Sequence, residues 1–214
     1  MDDPWVRWDW VSRHGDDIAA AVRQHVELTV IAVGIGLLIS FPLALLVRRW
    51  RWLQTPILSL SGILYTIPSL ALFALLLPWT GLTRTTAELG LIGYTLLILV
   101  RNILAGLDGV PRDVREAAEG MGFSRRRQLW RIELPLATPV IIAGVRIATV
   151  TTIGLVTVTA LIGQGGLGQL ILDGLIRDFR TPLVVGSVLS VVLAVVADAL
   201  LAGTQRALTP WTRR

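Results

Sequence analysis

Few residues in this chain could perform chemistry, and their types narrow what that chemistry is. Cysteine is absent, and His14 and His25 are the two histidines. Thiol nucleophiles and zinc–thiolate sites are therefore excluded, and imidazole acid–base catalysis has almost nothing to use. The run Gly163-Gln164-Gly165-Gly166-Leu167-Gly168 resembles a phosphate cradle. It lacks the Gly-Lys-Ser/Thr ending with which such a loop holds a nucleotide and its magnesium. No catalytic residue, metal site or cofactor of its own is expected. What remains is charge and aromaticity in unusual places: Arg101, Arg146 and Asp198 inside apolar runs, Tyr65, Phe73 and Tyr94 inside others, and one polar stretch from Asp108 to Thr138.

The elements that position these residues follow from composition. Of 214 residues, 53% are hydrophobic and 16% charged, and mean hydropathy is +0.67. Soluble domains average roughly 25% charged residues, so this chain cannot cover a water-facing surface and the bilayer is its solvent. Five runs are long enough to cross: Val26 to Val47, Pro56 to Leu77, Glu88 to Gly109, Pro139 to Ile162 and Thr181 to Gly203. Backbone groups in hydrocarbon must pair internally, and period-two alternation is missing, so the spans are helices and the fold class is all-α integral membrane. Pro42 and Pro68 are candidate kinks in the first two spans. Gly34, Gly36, Gly144 and Gly154 are candidate sites of close helix contact.

Arginine sets the direction. All 20 basic residues are arginine, and the formal net charge is +5. Twelve fall after the first span, after the third span or in the tail, against six in the remaining connections. The positive-inside rule then places the N-terminus outside and the C-terminus inside. In a soluble chain such basicity would suggest nucleic acid; here it encodes orientation, and no nucleic-acid partner is expected. All eight tryptophans lie outside the five runs, with Trp50, Trp52, Trp79 and Trp211 at headgroup level. Residues 1–25 form an extracytoplasmic or interfacial segment that does not read as a cleavable signal. Residues 26–203 form the transmembrane domain, and 204–214 a cytoplasmic tail.

The stretch 108–138 is the one sizeable polar segment inside the cell. Pro111 suits the first turn of a helix. Arg112/Glu116 and Arg115/Glu119 are spaced as i,i+4 pairs, and Ala117 and Ala118 offer a flat face. Gly122 stops the helix in a left-handed conformation. Ser124 caps a second short helix carrying Arg125, Arg126, Arg127 and Arg131, before Pro135 and Pro139 open the fourth span. The segment reads as either a docking knob or a solvated basic loop.

Glu116-Ala117-Ala118, three residues, Gly122, nine residues, Ile132, one residue, Leu134-Pro135 resembles at every position the EAA loop of ABC-importer permeases. The resemblance implies a type I, MetI-like permease with five transmembrane helices, N-out and C-in, in the bacterial cytoplasmic membrane. It also implies a loop that docks on a cytoplasmic ATPase dimer, and ATP bound by that partner. A second permease, identical or homologous, and an extracytoplasmic substrate-binding protein complete the assembly. That binding protein is expected to be separate, because the chain stops shortly after its last span.

Tyr65 to Pro78, Arg101 to Pro111 and Ala160 to Ile171 are similar to permeases for osmoprotectants such as glycine betaine, choline and carnitine. Importers of amino acids share the architecture and stand as the alternative, with an ATP-independent channel or assembly factor behind them. Tyr65 and Tyr94 are candidates for the substrate pathway, because a quaternary ammonium is drawn to aromatic faces; core packing is the competing role. Arg101, Arg146 and Asp198 either pair in the cytoplasmic half or snorkel to the headgroups. Within an extracytoplasmic glycine-rich loop of about 163–180, Gly163 to Leu175 is read as re-entrant or surface-lying after the fourth span, serving gating or the receipt of substrate, or plain helix packing.

Overall fold

The structure, a computed structural model, describes residues 5–212. Residues 1–4, at the start of the N-terminal segment, and Arg213 and Arg214 of the basic tail lie outside the described residues. A short helix α1 (Trp8–Arg13) leads into α2 (Gly15–Arg49), α3 (Gln54–Thr66), α4 (Ser69–Thr80) and α5 (Arg84–Asp108). The cytoplasmic segment supplies α6 (Arg112–Gly120) and α7 (Arg125–Gln128), followed by α8 (Leu134–Val158), α9 (Leu167–Ile176) and α10 (Arg180–Leu208). No strand occurs among the described residues.

Among the described residues, four helical runs are long and apolar enough to cross a bilayer: α2, α5, the run Arg125–Ile162 that contains α8, and α10. The second expected span, Pro56 to Leu77, is not straight. It is broken into α3 and α4, which meet at 99°, so it makes a fifth span only when both arms are taken together. The cause is Pro68, whose ring excludes the helical conformation from the residue before it. Ile67 accordingly sits at φ −62°, ψ 127°. Pro42 has no such effect, and α2 runs through it without interruption.

α5 is the hub. It packs on α2, α3, α4 and α8, and 61% of its most apolar window is buried, against 6% for α10. One core cluster gathers Leu28, Ala32, Phe73, Leu91 and Val156 towards the outer side; a second gathers Ala44, Val47, Val100, Ile103 and Leu107 towards the inner side. Lipid tails are as apolar as leucine, so close packing rather than water exclusion must hold such helices together. At Gly36 an added Cβ would lie 1.9 Å from Thr95 Oγ1, and at Gly144 2.3 Å from Asn102 Cβ. Those two expected contacts are present. Gly34 and Gly154 instead face open space.

Candidate functional site

The segment after α5 is built around its turns. Pro111 stands at the N-cap of α6, one position before the expected first turn. Arg112 Nε donates to Glu116 Oε1 at 2.8 Å on the exposed face, as the spacing predicts. Arg115 departs from expectation. It leaves Glu119 and turns back to the end of α5, where its Nη2 donates to the carbonyls of Leu107 at 2.9 Å and Asp108 at 3.2 Å. Helix C-termini leave carbonyls without partners, and a guanidinium within reach of two of them outcompetes an exposed i,i+4 pair.

α6 ends as Gly122 requires. Gly122 has φ +78°, Phe123 N–H donates to Ala118 O at 3.1 Å and Gly122 N–H to Glu119 O at 2.9 Å. This is a Schellman closure, with glycine at the left-handed position. Ala118 is buried, while Glu116 and Ala117 are exposed, so the helix presents its Glu-Ala edge outward. Ser124 caps the next helix, its Oγ accepting from Arg127 N–H at 3.4 Å.

The following segment corrects the expectation of two separate short helices. Residues 125–158 form one continuous helical run, in which a π turn at Leu129–Glu133 joins α7 to α8. Pro135 lacks an N–H and its ring crowds the carbonyl four residues back. A widened turn just ahead of it accommodates both effects without breaking the helix. Arg125, Arg126 and Arg127 are therefore the exposed first turn of the fourth span itself, and Ile132 lies within the π turn.

Glu133, between Ile132 and Leu134, is the residue that sequence reasoning missed. Its side chain is 8% exposed, and it accepts from Arg48 Nη1 at 2.5 Å and from Gln128 Nε2 at 3.3 Å. Arg115 Nε approaches it at 3.9 Å. Arg48 Nε also lies 3.5 Å from Asp108, which Arg51 engages with two hydrogen bonds at 2.9 and 3.1 Å. One network thus fastens α6 and the π turn to the cytoplasmic ends of α2 and α5. The available signal was an acid lodged between apolar residues at the mouth of a span, where a charge has to be paired.

The other singled-out residues sort plainly. Arg146 grips Asp198 with two hydrogen bonds of 2.8 Å, joining α8 to α10. Gln205 extends this contact, accepting from Arg146 at 3.3 Å and donating to Pro139 O at 3.1 Å. Arg101 is exposed and has no hydrogen bond or ion pair among the described residues. Tyr65 and Tyr94 come together edge to face, their ring centroids 5.9 Å apart. The Tyr94 hydroxyl donates to Ile67 O, at the break between α3 and α4.

The glycine-rich loop is closely packed. Gly163 and Gly166 take positive φ. A Cβ on Gly166 would stand 2.8 Å from His25 Cβ, and one on Gly168 2.4 Å from Thr157 O. Within this loop residues 167–176 form a short apolar helix, α9, seated against α10, α2 and α8.

Residues 32–210 match the family of binding-protein-dependent transport system inner membrane components. The chain belongs to that family. Its members are permease subunits of ABC transporters, and the membership places the chain in the inner membrane as an all-helical, MetI-like permease. The osmoprotectant import permease protein OsmW of Salmonella typhimurium is 39% identical over 198 residues, covering 90% of this chain and 92% of that one. The choline transport system permease protein OpuBB of Bacillus subtilis is 34% identical, covering 94% and 93%. Among solved structures, the inward-facing MetNI methionine ABC transporter matches with TM-score 0.78 at 21% identity, covering 98% of this chain and 100% of that one. At that identity the likeness concerns the fold alone.

Proposed function

We propose that this permease imports quaternary ammonium osmoprotectants, such as glycine betaine, choline or carnitine, powered by ATP hydrolysis in a partner. The similarity to permeases named for those solutes, at 31–39% identity across most of the chain, supports the substrate class. Two cytoplasmic ATPase subunits, a second permease and an extracytoplasmic binding protein complete the importer. Its ATP site lies in the ATPase subunits.

The observation that carries the coupling role is the fastening of α6. A helix that presents Glu116 and Ala117 outward, closed at Gly122 and tied through Glu133 to Arg48 and Asp108, can pass a push on its outer face to three spans. ATP-driven closure of the ATPases moves α6, and the spans alternate access between the two sides. Tyr65, 38% exposed and backed by buried Tyr94, is the aromatic edge offered to a passing cation. Arg101 and the Arg146–Asp198 pair have no part in substrate binding.

Uptake in vesicles holding the permease with its ATPase, supplied with its binding protein, tests the proposal. Accumulation of labelled glycine betaine, choline or carnitine that requires ATP is expected. ATP-driven accumulation of amino acids in place of these solutes would overturn the substrate class, and ATP-independent leakage would overturn the importer.

A further inference from the structure

Two cavities of different chemistry lie along α2, one beside α8 and one beside the helical run that leads into it. The deeper cavity, of about 570 Å³, is lined on α2 by Gly34, Leu37, Leu38 and Phe41, and on α8 by Leu134, Thr138 and Ile141. The cavity nearest the cytoplasm, about 510 Å³, begins at Leu45 and Leu129 and opens among five arginines and two glutamates. The α2 residues of both cavities recur at spacings of three and four, so they form one face of one helix. The two cavities follow one another along that face, from Gly34 to Arg49, as the halves of one groove.

The arginines are not equally engaged. Arg48 and Arg115 are held by Glu133. Arg49, Arg125 and Arg126 are exposed and make no hydrogen bond or ion pair among the described residues. Trp130 packs against Phe41 with ring centroids 6.2 Å apart and is itself 56% exposed, which marks the headgroup level where the groove changes from apolar to basic. Three unpaired guanidiniums at that level, beside an apolar cavity, complement a molecule with an anionic head and an apolar tail. Guanidinium is well suited to phosphate oxygens.

We propose that this groove seats one anionic phospholipid of the inner leaflet. Its phosphate lies among Arg49, Arg125 and Arg126, and one acyl chain lies along Gly34, Leu38 and Phe41. The bound lipid touches the first turn of the fourth span beside α6, so it stiffens the segment that the Glu133 network fastens. The assignment does not depend on which solute the permease carries.

Native mass spectrometry of the full chain in detergent, titrated with phosphatidylglycerol or phosphatidylethanolamine, tests it. One phosphatidylglycerol is retained in preference to phosphatidylethanolamine. An arginine near an anionic surface changes binding by about fivefold, and Arg49→Gln lowers phosphatidylglycerol retention by that factor while sparing phosphatidylethanolamine. Gly34→Phe fills the tail slot; a Cβ there meets nothing within 4 Å, so the helix accepts it, and retention of both lipids falls. Equal retention of the two lipids by the unmodified chain would overturn the proposal, as would unchanged retention in both variants. Displacement of phosphatidylglycerol by inorganic phosphate alone, unaffected by Gly34→Phe, would reassign the basic end to a free anion and overturn the lipid.

Discussion

The Glu133 carboxylate accepts a hydrogen bond from Arg48 across 85 positions of sequence, and both side chains are largely withdrawn from solvent. This contact joins the end of the first span to the π turn near the start of the fourth. A charge left alone in such a place costs about 3–5 kcal/mol, so the two residues are tied to each other's presence. Glu133→Gln and Arg48→Gln each lower the thermal stability of the purified chain, and the double variant loses less than the sum of the two. A double-mutant cycle by thermal unfolding checks this; additive losses would mean that the two act independently.

Gly122 is required for its backbone and not for space, since a Cβ there meets nothing within 4 Å while φ is +78°. Substitutions should therefore follow left-handed propensity and ignore side-chain size. ATP-driven uptake falls little for Gly122→Asn, further for Gly122→Ala and is lost for Gly122→Val, with membrane insertion intact throughout. Normal uptake by Gly122→Val would refute the role given to the closed end of α6.

α10 is thinly buried against the rest of the fold, which gives the Arg146–Asp198 pair disproportionate weight. Asp198→Asn weakens the grip, and Asp198→Ala removes it; both lower the yield of assembled transporter. The exchange Arg146→Asp with Asp198→Arg restores part of that yield. Unchanged yield in Asp198→Ala would show that α10 is held by packing alone.

Tyr94→Phe deletes one hydrogen bond at the break between α3 and α4. A bond of this kind contributes about 1 kcal/mol, so a small loss of thermal stability is expected. Tyr65→Leu leaves stability nearly unchanged and slows uptake of quaternary ammonium solutes. Equal effects of the two variants on both readouts would remove the distinction between a supporting and a pathway aromatic.

Much of this was legible in the residues. Apolar run lengths located the spans, arginine placement oriented them, and Gly122 and Ser124 announced their turns because glycine at a left-handed stop and serine at a cap act through local backbone geometry. The rest depended on contacts distant in sequence. Pro68 signalled a kink, but its 99° angle depends on how α4 packs over α5. Pro135 and Pro139 suggested a fresh start for the fourth span, whereas the π turn absorbs the first and the helix runs through. Arg115 had a spacing partner in Glu119 and a better one at the end of α5, which no spacing rule reveals. Glu133 occupies the unspecified position between Ile132 and Leu134-Pro135, where a motif directs no attention. Gln128 is its neighbour in the same helical run, but its charged partners come from α2 and α6, and only the assembled fold brings them together.

In the proposed importer the outward edge of α6 meets the ATPase. The chain contains no cysteine, so a single Ala117→Cys provides a unique attachment point on that edge. A short thiol-reactive crosslinker applied to the assembled transporter should join Ala117→Cys to the ATPase subunit and change in efficiency when ATP binds. Crosslinking from Thr204→Cys in the last helix, with none from Ala117→Cys, would place the ATPase contact away from α6 and overturn its coupling role.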